Sequence, residues 1–120
     1  MITVLLVALG AAIGAPLRYL TDRAVQARHD SVFPWGTFTV NVCGSLVLGF
    51  LTALPTSPSV TALLGTGFCG ALTTYSTFSF ETLRLVQQGA RFYALVNVIA
   101  SVVAGLGAAA IGLLLAQAVD

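Results

Sequence analysis

Lysine is absent from this chain, and charged residues of both signs make up only 8% of its 120 positions. A formal net charge of +1 leaves no basic patch with which to hold a nucleic-acid backbone. Cysteine is scarce as well: Cys43 and Cys69 both fall in apolar stretches, where they read as small buried hydrophobes rather than a disulfide or a metal pair. The single histidine, His29, lies among charges in a connection and is expected at the surface, with no set of ligands around it. No nucleophile with a base, metal spacing or phosphate loop is present, so an enzyme is not expected. The N-terminus lacks the positive region of a secretory signal and runs straight into an apolar segment, so it is expected to stay in the mature protein. What remains is 58% hydrophobic with a mean hydropathy of +0.98, far from a soluble domain. The natural solvent of such a chain is lipid.

A spanning helix needs about 20 mostly apolar residues, and four segments qualify, at about residues 2–20, 35–54, 60–85 and 92–119. The connections are short: 21–34 is the longest, 55–58 is a tight break, and 86–91 joins the last two. Phe33-Pro34-Trp35 supplies an interfacial aromatic start to the second span. The expectation is an all-α integral membrane protein, with residues 1–120 forming a single four-helix domain whose termini lie on one side. It would be a multi-pass protein of the cell inner (plasma) membrane.

The third span carries the most unusual composition. Gly65, Gly67 and Gly70 are followed by Thr73, Thr74, Ser76, Thr77 and Ser79 at a depth where polar groups are expensive. Backbone groups in hydrocarbon must be satisfied, so a span loses its helix only where protein or a wet cavity covers it. Glycines permit the dihedrals and hydroxyls re-satisfy the freed groups. A helix break near Gly70 to Thr73 is therefore predicted. Unwound carbonyls at such a depth are a common way of holding a monovalent cation. Beyond the break, Tyr75 and Phe78 stand three apart and share a helical face.

Polar stripes recur elsewhere. Asn41, Gly44 and Ser45 fall on one face of the second span, and Asn97, Ser101 and Gly105 are spaced four apart in the fourth. Three stripes on apolar bodies would line a narrow conduit if they converge. In the first span Gly10, Gly14 and Arg18 are also four apart; the glycines suit tight helix packing. Arg18 either snorkels to the headgroups or lines an entrance that attracts anions. Glu81 either pairs with Arg84 or sits at the mouth of a conduit. The residues leave both pairs of alternatives open.

Taken together, these pieces resemble the fluoride-specific ion channels of the Fluc, or CrcB, family. The resemblance is carried by 10–19 (GAAIGAPLRY), 35–44 (WGTFTVNVCG), 67–81 (GFCGALTTYSTFSFE) and, more weakly, 93–98 (YALVNV), in family order over the whole chain; the third is the most specific. It implies passive, selective export of fluoride from the cytoplasm to reduce its toxicity. It also implies an antiparallel dimer of four-helix subunits with two pores and a central structural sodium ion. Carried over by residue, backbone carbonyls of Gly70 and Thr73 would hold the sodium. Tyr75 and Phe78 would be the aromatic pair on the fluoride path, with Asn41, Ser76, Thr77 and Ser101 as polar path positions. Arg18 would be the vestibule arginine and Glu81 the third-helix carboxylate. Two positions depart from the family pattern, Ala71 in place of glycine and Tyr75 in place of phenylalanine. Alanine restricts left-handed dihedrals, which leaves room for the break to be displaced by a residue.

The physics suits such an ion. Fluoride is small and strongly hydrated, so donors must replace its water. Ring edges carry positive quadrupole, and hydroxyl and amide hydrogens add attraction without the full charge that would hold the ion too firmly to release it. No charged residue lies between Ser31 and Phe80. All five arginines, Arg18, Arg23, Arg28, Arg84 and Arg91, belong to the side away from the termini, which the positive-inside rule assigns to the cytoplasm. That bias points to one insertion orientation, and so to an oppositely oriented homologous subunit as partner in the bilayer, ahead of a second copy. The rival reading is a small multidrug-type proton-coupled transporter, which would need a carboxylate deep in its first helix; none stands there.

Overall fold

A computed structural model describes residues 1–29, 33–54 and 57–119. Asp30 and Ser31 of the first connection and Pro55-Thr56 of the second lie outside the described residues. Helix α1 spans Ile2–Ala27 and α2 spans Trp35–Ala53. The third segment is in two pieces, α3 over residues 58–72 and α4 over Ser76–Gln87, and α5 spans Arg91–Val119. Among the described residues there is no strand.

Helices α1, α2 and α5 are each long and apolar enough to cross a membrane. Neither piece of the third segment is. At 12 residues, α4 is only about 18 Å long against a hydrocarbon core of about 30 Å, so α3 and α4 must cross together. The longest dimension of the molecule, 47 Å, matches a bilayer with its headgroup layers.

Local signals explain the helix ends. Helix α1 continues to Ala27, seven residues past the expected end of its span, because nothing in 21–27 breaks a helix. Its added turn is braced by Arg23, whose Nη1 donates to Tyr19 OH at 3.1 Å and whose guanidinium lies over the Tyr19 ring. Helix α3 opens with Ser57 accepting from Val60 N and Pro58 in the first turn. It then widens to π-type turns over Thr61–Cys69 and returns to α geometry at Gly70–Leu72. Helix α4 ends in a Schellman turn, with Gly89 at φ 83, Ala90 N donating to Leu85 O and Gly89 N to Val86 O.

Close backbone approach holds the bundle. A side chain on Gly10 would strike Leu63 O and Phe68 N of α3, and one on Gly67 would strike Val7 O of α1. The α2–α5 crossing is built the same way, Gly49 lying on the Ala109 backbone and Gly112 on Leu46 O and Phe50 N. In lipid the apolar effect does not draw helices together, so dispersion between closely apposed backbones must do so, and small residues allow it. Large aliphatics face outward, Val103 and Leu106 at 65% and 70% exposure, while the bulkiest fully buried side chains are Val40, Asn97 and Cys69. That inversion is expected of a protein bathed in acyl chains. Both cysteines are free; Cys69 is buried as expected, but Cys43 is exposed on α2.

Candidate functional site

The chain leaves the helix at Thr73, whose backbone is extended at φ −80 and ψ 158. Gly70 keeps ordinary helical dihedrals, so the interruption falls at residues 73–75, at the far end of the expected stretch. No left-handed residue is used there; Gly89 alone has positive φ among the described residues. Side chains replace the lost helical bonds instead. Thr74 N donates to Asn41 Oδ1 at 2.7 Å, and Asn41 Nδ2 donates to Thr74 O at 3.0 Å. One amide on α2 thus imitates a neighbouring strand. Thr77 N donates to Thr74 Oγ1 at 3.1 Å, which caps the start of α4. Thr73 N and Oγ1 both donate to Cys69 O, at 3.0 and 2.9 Å.

In an unbroken helix Thr74 N–H and Thr77 N–H would bond Gly70 O and Thr73 O. Both donors are diverted to side-chain oxygens. The two carbonyls singled out in the sequence are therefore relieved of their helical partners, and Gly70 lies exposed.

Next to the break lies a groove of about 350 Å³ lined by Asn41, Ser45, Thr73, Tyr75, Phe78 and Ser101. Three of the sequence stripes, from α2, the break and α5, meet here. Gly44 forms part of its wall; a side chain there would strike the Thr73 methyl. The rings of Tyr75 and Phe78, both at the groove wall, are 6.3 Å apart at 46°. Tyr75 is 81% exposed, so the groove is open along one side.

Other candidates lie elsewhere. Arg18 and Thr77 line a separate cavity of about 150 Å³ together with Asp22, Thr37 and Thr74. Glu81 belongs to a larger cavity of about 340 Å³ with Asp22, Gln26 and Arg84, and it accepts a hydrogen bond from Thr37 Oγ1 at 2.5 Å. Ser76 is exposed at the start of α4. Thr74 lines both the inner cavity and the open groove, so the peptide held by Asn41 is the partition between them. Thr37 was missed in the sequence, although it precedes Asn41 by four and shares its face. Thr82 was missed too; its Oγ1 accepts from the buried Asn97 at 2.8 Å.

These features define the class: a multi-pass, all-α membrane protein with an interrupted helix beside a groove of uncharged polar and aromatic side chains. The chain belongs to the CrcB family, matching the description "CrcB-like protein, Camphor Resistance (CrcB)" over residues 5–113. Among curated relatives, fluoride-specific ion channel FluC 1 of Streptomyces avermitilis is 66% identical, covering 95% of this chain and 95% of the relative. FluC 1 of Frankia casuarinae is 62% identical over 96% of each chain. FluC 2 of Mycobacterium tuberculosis is 48% identical over 88% of this chain and 83% of the relative. These relatives are named as ion channels, not as enzymes.

Proposed function

We propose that this chain is a subunit of a fluoride-specific channel in the inner (plasma) membrane, through which fluoride leaves the cytoplasm passively. The observation that carries the reading is the convergence of Asn41, Tyr75, Phe78 and Ser101 on one groove that contains no charged side chain. Dehydrating fluoride is costly unless donors replace its water; amide, hydroxyl and ring-edge hydrogens do so while still letting the ion go. Arg18, in the neighbouring cavity with Thr77, lies on the arginine-rich side and would raise the local concentration of anions at the entrance. Glu81, tied to Thr37, joins α4 to α2 at that mouth.

The diverted donors at the break fit a structural sodium ion. Gly70 O and Thr73 O are hard oxygen donors of the kind alkali cations take from unwound helices. Two are too few to replace a hydration shell, so a second subunit would supply the rest. The 81% exposure of Tyr75 agrees with that, because an aromatic at the wall of a conduction path needs a covering neighbour. The dimer would be antiparallel with two pores. The arginine bias favours an oppositely oriented homologue over a second copy. Bound sodium would neutralise the converging carbonyls and is not itself transported.

Efflux from proteoliposomes, fluoride against chloride, tests the proposal with this chain alone and with its homologue. Rapid fluoride loss with chloride retained is expected; equal rates for the two anions would overturn it. Exchange of sodium for a large organic cation during purification is expected to abolish the activity, and full activity without alkali ions refutes the structural role. Terminal reporter fusions are expected to lie on the outer side only.

A further inference from the structure

Behind the groove runs a chain of hydrogen bonds that the conduction path does not explain. Ser101, at the groove wall, donates from Oγ to Asn97 Oδ1 at 3.3 Å. Asn97 is 1% exposed and donates from Nδ2 to Thr82 Oγ1 at 2.8 Å. Thr82 in turn donates back to Phe78 O at 2.8 Å. The Ser101 hydroxyl is thus directed at Asn97 and away from the groove. In this sense Ser101 shows the groove only its lone pairs, which repel an anion.

We infer that Asn97 is a positioning residue whose buried amide turns over when an anion reaches Ser101. The inference rests on the reading of the groove as a fluoride path. Reversing the amide makes Nδ2 donate to Ser101 Oγ and Oδ1 accept from Thr82 Oγ1, which frees the Ser101 hydrogen for the groove. The count of bonds sets the preference. With the groove empty, the observed sense has three bonds and the reversed sense two. With fluoride beside Ser101 each sense has three, and the reversed one is preferred because its third bond, from Ser101 to the ion, is charge-assisted and roughly twice as strong as a neutral bond. The bond given up on reversal is the one from Thr82 to Phe78 O, a back-bond within its own helix. The 3.3 Å link to Ser101 is the loosest of the three, which is where a reversible connection is needed.

Thr82 is what biases the empty state. Replacing it by valine removes the bond to Phe78 O that favours the observed sense, together with the Asn97–Thr82 bond that both senses share, so each sense keeps one bond and the reversed sense no longer costs one. One hydrogen bond is worth about 0.5–1.5 kcal/mol, so Thr82→Val should lower the fluoride concentration that half-saturates efflux by roughly two- to tenfold. Thr82→Ser, which keeps the hydroxyl, should behave as the unaltered protein. In a Ser101→Ala background the Thr82→Val effect should vanish, which a loss of packing would not reproduce.

The direct readout is the side-chain amide signal of Asn97 in isotope-labelled dimer, titrated with sodium fluoride and with sodium chloride. The signal should move with fluoride, stay still with chloride, and stay still with either in Ser101→Ala. A preparation that conducts fluoride yet shows an unmoved Asn97 signal, or additive Thr82 and Ser101 substitutions, overturns the inference alone. A preparation that does not conduct fluoride overturns the underlying reading and this inference with it.

Discussion

The α2–α5 crossing and the interruption between α3 and α4 meet the same requirement, peptide groups satisfied in lipid, by opposite means. At the crossing both helices stay continuous, their backbones bond internally, and Gly49 and Gly112 let them touch. At the interruption the helix stops, and Asn41, Thr74 and Thr73 side chains take over the bonding. The first arrangement is closed and has nothing to offer an ion. The second frees carbonyls on one side and gathers donors on the other, at the cost of depending on side chains from another helix. The residues that line the groove therefore gather where the backbone is least self-sufficient.

Substitutions can separate the two. Asn41→Leu should have the largest effect, because it strands both Thr74 backbone groups at about 1–3 kcal/mol each; loss of fluoride efflux together with a lowered thermal midpoint in detergent is expected. Retained efflux would mean that the interruption holds itself. Gly112→Val should cost about 1–3 kcal/mol by forcing α5 off Leu46 and Phe50, read as a lower thermal midpoint, with efflux per folded molecule preserved. If the groove fails first, the two regions are not independent.

Smaller effects sharpen the description of the groove. Phe78→Ile keeps bulk but removes the ring edge, so efflux should slow by up to about tenfold while the elution profile is unchanged. Tyr75→Phe removes only a hydroxyl from a mostly exposed residue and should change efflux by no more than about twofold.

Much of this was readable from residue order. Apolar runs with turn residues between them mark the crossing helices, since length and hydropathy are local properties. The presence of an interruption was readable for the same reason: Thr73, Thr74, Ser76 and Thr77 have no business in a continuous lipid-facing helix. Its position was readable only to within a few residues. Glycine dihedrals suggested a stretch starting at Gly70, whereas the extended residue is Thr73 and Gly70 stays helical, because Asn41, far off in the chain, offers its amide at Thr74. The stripe at Asn97 and Ser101 looked like one conduit wall, yet Asn97 is buried against Thr82, a contact between two helices that spacing within one cannot reveal. Thr77 and Phe78, adjacent in sequence, face different cavities, since neighbours on a helix point about 100° apart.

Residue order alone determined that the chain lives in lipid, that its third crossing is interrupted, and that its donors are uncharged. Each follows from the cost of placing given side chains and peptide groups in hydrocarbon, whatever surrounds them. Only the tertiary structure decided which peptide is freed, which donors share the groove and which are turned away from it. Those outcomes depend on where α2, α4 and α5 bring Asn41, Thr82 and Ser101 into reach, and a hydrogen bond formed within about 3 Å is settled by that placement.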